Sequence, residues 1–168
     1  DTTKIPNRSW LANYQVLYKF DGKAAHAGGS PHKGRSALDA VELMNVGVQF
    51  LREHMKPKES IHYSFTDSGG ISPNVVQPTA TVLYMIRGEN VRTAKALLER
   101  VMKIAQGAAL MTETSFTTRQ IDGTADTVSN TVMEKVLYEN LLAAPLPSYT
   151  DEDREFAAAQ DTLAVIVP

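Results

Sequence analysis

Three residues in this 168-residue chain have the type and setting to do chemistry. His26 stands in "GKAAHAGGSPHKG", where small neighbours leave room for another molecule beside the imidazole. An imidazole N–H there could donate to an oxyanion. The same residues also suit a loop histidine that fixes the backbone or packs at a domain edge. Asn74 closes "TDSGGISPN" and reads either as a turn residue before a strand or as an amide that binds a polar substrate. Arg87 ends an apolar run, "TVLYMIR". It is either a solvated strand end or a bidentate grip for a carboxylate. Asn74 and Arg87 lie near opposite ends of one extended segment. They can reach the same small group only if the segment bends or two chains combine.

Other chemistry has little to stand on. The remaining histidines, His32, His54 and His62, form no H-E-x-x-H or other compact ligand motif. No acidic residue is placed convincingly with His26 or His32. "GGSPHKG" lacks Walker spacing, and "GKAAHAGG" lacks G-x-G-x-x-G. Ser30 and Ser36 read as turn or cap residues rather than nucleophiles. There is no cysteine, which excludes disulfides and thiolate metal sites. A formal charge of −2 without a long basic block argues against a phosphate-binding footprint. No run reaches the roughly 18 apolar residues of a membrane span.

These residues must be positioned by a folded domain, and 43% apolar with 21% charged residues is a composition that folds. In "NYQVLYKF", Tyr14, Val16, Tyr18 and Phe20 share one side of a predicted strand. Ser36 to about His54 reads as a helix. Its polar stripe is Asp39, Glu42, Asn45, Gln49 and Arg52, and Ala37, Ala40, Val41, Met44, Val48 and Leu51 pack. Ile61, Tyr63 and Phe65 alternate in a second strand. Val75 to Arg87 predicts a third, with Pro78 requiring an edge position or a bulge. Val91 to about Leu110 is a second helix, dry along Ala94, Leu97, Leu98, Val101 and Ala105. "TETSFTTRQIDG" is a fourth, weaker strand.

The order strand, helix, strand, strand, helix, strand predicts an α+β two-layer sandwich. Two helices cover one face of a four-stranded antiparallel sheet in the ferredoxin-like βαββαβ arrangement. The character changes after Gly123. "ADTVSNTVMEKVLYENLLAA" predicts a third helix, "PLPSYT" breaks it, and Thr150 to Asp153 resembles a capping box for a fourth. Residues 1–123 are thus expected to form one domain, and residues 124–168 a helical extension. The start without methionine and the ending "LAVIVP" suggest a piece of a longer chain.

"GKAAHAGGSPHKGRSALDAVELM" followed by "TDSGGISPNVVQPTATVLYMIRG" resembles the M20 family of metallopeptidases and amidohydrolases. Within that family it is similar to the branch that hydrolyses p-aminobenzoyl-glutamate, on its B-subunit side. The resemblance implies that residues 1–123 are an inserted lid, or dimerisation, domain and that the tail returns toward a catalytic domain. It implies two divalent metal ions, zinc or manganese, held in that other domain, whose ligand motifs are absent here. It implies that His26 reaches a neighbouring protomer's active site to stabilise an oxyanion, that Asn74 contacts substrate, and that Arg87 binds a substrate carboxylate. A cytoplasmic homodimer through the lid is implied, and no hydrolysis by the piece alone. A further implied partner is the A subunit of a hetero-oligomeric hydrolase. The competing reading is a stand-alone ferredoxin-like ligand-binding or assembly module. It would need a complete pocket within one chain or one lid dimer.

Overall fold

The computed structural model describes residues 10–145 and 148–166. The chain divides between Val128 and Ser129 into two compact units. The first carries β1 (Ala12–Asp21), β2 (Ala25–His26), α1 (Ala37–Arg52), β3 (Ser60–Asp67), β4 (Val75–Val76), β5 (Thr79–Gly88), α2 (Val91–Thr112) and β6 (Ser115–Thr124). Its main sheet has the order β3-β5-β1-β6, and every neighbouring pair is antiparallel. This is the ferredoxin-like arrangement the alternation predicts.

The strand periodicity decides which face the helices cover. Val16, Tyr18 and Phe20 of β1 pair with Tyr84, Val82 and Ala80 of β5, and all six are buried. Val41, Met44 and Val48 of α1 join them, with Leu97, Val101 and Ala105 of α2. Each fully buried valine, leucine, methionine or phenylalanine among them contributes about 1.5–3 kcal/mol of hydrophobic stabilisation. The opposite face carries Gln15, Leu17, Lys19, Thr81, Leu83, Met85 and Arg87, all less buried than the helix-side residues.

Ser36 starts α1 by accepting a hydrogen bond from the Asp39 N–H at 3.1 Å, a common N-cap bond. Asn90 and Thr93 form a reciprocal capping box on α2.

Two sequence expectations change. Pro78 lies neither on an edge strand nor in a bulge. It falls in a break between β4 and β5, and β5 is a central strand. Proline has no N–H for a ladder. The chain here instead offers carbonyls sideways: Gln77 O accepts from Ala37 N–H at 2.9 Å and Pro78 O from Gly22 N–H at 2.7 Å. Asn45 also leaves the predicted polar stripe. It is buried and accepts from the Tyr84 hydroxyl at 2.5 Å. Its helical phase is that of Val41 and Val48, so its position overrides its polarity.

The second unit contains α3 (Thr131–Ala143) and α4 (Asp151–Ile166). The predicted third helix starts later than its apolar pattern suggests, because Asn130 caps it through a bond from Met133 N–H at 3.0 Å. Leu146 and Pro147 of the predicted helix break lie outside the described residues. Thr150 and Asp153 form the reciprocal cap on α4: Thr150 N–H donates to Asp153 Oδ2 at 2.8 Å and Asp153 N–H to Thr150 Oγ1 at 3.2 Å. Bonds from the Thr150 hydroxyl and N–H hold the Asp153 carboxyl below the usual carboxylate range.

Candidate functional site

The loop between β1 and α1 is tied down at its base. Lys23 and Arg35 exchange backbone bonds of 2.8 and 2.9 Å. The Arg35 guanidinium reaches the Gly34 carbonyl at 2.7 Å and the Glu113 carboxylate at 2.8 and 2.9 Å. Arg35 therefore joins the loop to the C-terminal end of α2. Sequence reading missed this residue, since a lone arginine between Gly34 and Ser36 gives no signal of its distant partner.

On this base, the short strands β2 and β4 pair antiparallel, with His26 opposite Val75. The Ala27 N–H donates to the Asn74 carbonyl at 2.9 Å. His26 and Asn74, 48 residues apart in sequence, thereby meet: the Asn74 side-chain amide lies 3.1 Å from His26 Nε2. On the other side of the ring, Gly29 N–H donates to Nδ1 at 2.8 Å. Both residues are exposed.

The hydrogen bonds define the ring's tautomer. Nδ1 is an acceptor, so a neutral ring carries its proton on Nε2. Asn74 Nδ2 is the end placed toward Nε2; an N–H at Nε2 needs an acceptor, so the amide must turn over to present its oxygen. A half-turn of the amide exchanges its two ends with little change in shape. Gly29 makes this geometry accessible: a Cβ there would sit 3.2 Å from Nδ1.

Arg87 lies elsewhere. It is exposed at the far end of β5, opposite Asn13 of β1 and Ser60 of β3. At ~3.3 Å per residue, Thr79 to Arg87 alone spans roughly 26 Å. The structure thus brings His26 and Asn74 together and leaves Arg87 remote from both. Arg87 donates through Nε to the Met85 sulfur at 3.2 Å and lines a cleft of about 590 Å³ with Trp10, Asn13 and Thr124. Among the described residues, no group of three or more histidine, aspartate or glutamate side chains could hold a metal ion.

Comparison with known proteins names the class to which this ferredoxin-like domain belongs. The chain belongs to the M20 family, matching its peptidase dimerisation domain over residues 13–113. It is 47% identical over 151 residues to the B subunit of p-aminobenzoyl-glutamate hydrolase from Escherichia coli, covering 90% of this chain and 31% of that protein. It is 31% identical over 102 residues to the Xaa-Arg dipeptidase of Mus musculus, covering 61% of this chain and 23% of that protein. Among solved structures, an aminobenzoyl-glutamate utilization protein from Klebsiella pneumoniae aligns with a TM-score of 0.67 at 26% identity. That alignment covers 81% of this chain and 34% of the Klebsiella chain. The chain spans about a third of the length of the E. coli relative.

Proposed function

We propose that this chain is the lid and dimerisation part of a metal-dependent amidohydrolase that cleaves p-aminobenzoyl-glutamate or a related N-acyl amino acid. The observation that carries the reading is the exposed, hydrogen-bonded pair of His26 and Asn74. Bonds at Nδ1 and Nε2 aim the imidazole before any ligand arrives, and preorganised donors are what oxyanion stabilisation requires. In this reading Nε2–H exchanges Asn74 for the developing oxyanion, and the freed Asn74 amide contacts substrate. The substrate class is supported by what the 47% identical E. coli relative is named for.

The described residues of this chain do not fit the two divalent ions that family resemblance implies. Zinc or manganese would be held by a domain outside this chain, and the fragment alone would not hydrolyse an amide. Arg87 would grip a substrate carboxylate. Its distance from His26 means that one chain serves two sites, or that one site takes residues from two chains. Dimerisation supplies that second chain.

The self-association face we favour is the β3 edge with α1. It exposes Tyr63 and Phe65 on the strand and Leu43, Val46 and Phe50 on the helix. Unpaired edges of this kind template strand addition. An A-type subunit is a further partner in the same reading. It is supported by 28% identity, over 95% of this chain, to a Haemophilus influenzae homolog of the hydrolase's A subunit. No helix among the described residues is long and apolar enough to cross a membrane. The proposal places the enzyme in the cytoplasm.

The test uses the complete open reading frame and hydrolysis of p-aminobenzoyl-glutamate. His26→Ala should lower kcat on the order of 100-fold, the range for losing one oxyanion donor, while dimers persist. Hybrid dimers of His26→Ala with a variant disabled at the metal ligands should regain part of the activity. Unchanged turnover in His26→Ala would sink the oxyanion role. A reading frame without a metal-binding domain would instead favour the stand-alone module.

A further inference from the structure

Arg87 and Asn13 are direct cross-strand partners on the sheet face away from the helices. Side chains so placed have Cβ atoms about 4.5–5.5 Å apart. Asn13 pairs on its other side with Thr124 of β6, and its amide nitrogen donates to the Thr124 hydroxyl. Its Oδ1 is buried and has no hydrogen-bond partner among the described residues. All three residues line the same cleft of about 590 Å³.

The two halves of this pair are mismatched as they stand. A guanidinium has five N–H donors. Arg87 spends one on the Met85 thioether, a weak acceptor, and makes no ion pair among the described residues. Beside it is an amide oxygen with no donor, and a buried acceptor left without one is costly.

We propose that Asn13 is a positioning residue for Arg87. On ligand binding the guanidinium leaves Met85 and donates one N–H to Asn13 Oδ1. A parallel pair of N–H groups then remains to take a carboxylate in bidentate geometry. On Met85 the exposed Arg87 keeps its charge in water. Docking on Asn13 removes part of that hydration, and only an incoming carboxylate offsets the loss. The row Arg87–Asn13–Thr124 thus becomes one hydrogen-bonded chain across three strands, with Thr124 orienting Asn13. This inference rests on the reading of Arg87 as the carboxylate grip.

The experiment is a double-mutant cycle in the complete enzyme, with p-aminobenzoyl-glutamate as substrate and Asn13→Leu, Asn13→Asp, Arg87→Ala and Asn13→Leu/Arg87→Ala as variants. Asn13→Leu keeps the branched shape and removes both the acceptor and the bond to Thr124; Asn13→Asp keeps an acceptor. Asn13→Leu should raise KM roughly tenfold, as expected for losing a hydrogen bond to a charged group, and leave kcat within about twofold. Asn13→Asp should hold KM within about threefold of wild type. In the Arg87→Ala background, Asn13→Leu should add nothing, because the cycle isolates the coupling between the pair. If Arg87→Ala raises KM and Asn13→Leu does not, the positioning role is overturned while the Arg87 reading stands. The same holds if Asn13→Leu acts equally in both backgrounds, which marks a structural role. If Arg87→Ala leaves KM unchanged, the carboxylate reading fails and this inference with it.

Discussion

His26 Nε2 and the Asn74 side-chain amide lie 3.1 Å apart across a ladder only two residues long on each side. With Gly29 N–H on Nδ1 at 2.8 Å, both ring nitrogens are engaged. Nitrogen-15 spectra of the neutral ring should therefore show the Nε2–H tautomer. Asn74→Leu should leave Nδ1 bonded to Gly29 and release the ring on its other side, broadening the His26 signals. A predominant Nδ1–H tautomer in the unsubstituted chain would contradict the geometry.

Gly22 marks where the loop leaves the sheet. A Cβ at this position would sit 2.1 Å from the Arg35 carbonyl oxygen, and backbone cannot retreat as a flexible side chain can. Gly22→Ala should cost about 3 kcal/mol through overpacking, read as a lower urea midpoint. It should also disturb the His26 ring signals, because the Lys23–Arg35 bridge that supports the loop begins at the next residue. An alanine variant with wild-type stability would rule out this close approach.

The two buried phenols predict opposite responses to the same substitution. Tyr84 donates to Asn45, whereas the Tyr18 hydroxyl is buried without a partner among the described residues. Tyr84→Phe strands the Asn45 amide and should destabilise by about 1–3 kcal/mol. Tyr18→Phe removes an unsatisfied group and should be neutral or stabilising. Burial raises the pKa of both phenols above the ordinary 10.0. Their contribution to stability is therefore full below pH 10 and declines above it, where the unfolded chain ionises and the folded core resists. Alkaline unfolding curves for the two phenylalanine variants against wild type check both points.

The proposed dimer face makes a directional prediction. Phe65→Lys on the β3 edge, or Val46→Glu on α1, should shift the complete protein from dimer to monomer in light scattering at micromolar concentration. Charge on an exposed edge opposes strand addition. Thr118→Lys on the opposite edge, β6, should leave the dimer intact. The reverse pattern would move the interface to β6.

Much of the fold was legible because its cause is local. Alternation in "NYQVLYKF" specifies a half-buried strand, and the spacing of Val41, Met44 and Val48 specifies a helix face, whatever lies across the interface. The same logic misjudged Asn45, since polarity suggested water and only the Tyr84 hydroxyl made burial tolerable. Pro78 was read correctly as a disruption but not as the gap that lets β4 leave the line of β5 and meet β2.

The sequence by itself determined which residues could do chemistry, because the group on each side chain is a property of the residue. It also determined that Asn74 and Arg87 cannot share a small ligand along an extended segment, because strand rise is nearly constant. Only the tertiary structure decided which candidates meet. His26 and Asn74 join through carbonyl and amide bonds between segments 48 residues apart, and Asn13 lies opposite Arg87 through an antiparallel register. Such pairings depend on how the whole sheet closes, a property no single stretch of chain encodes.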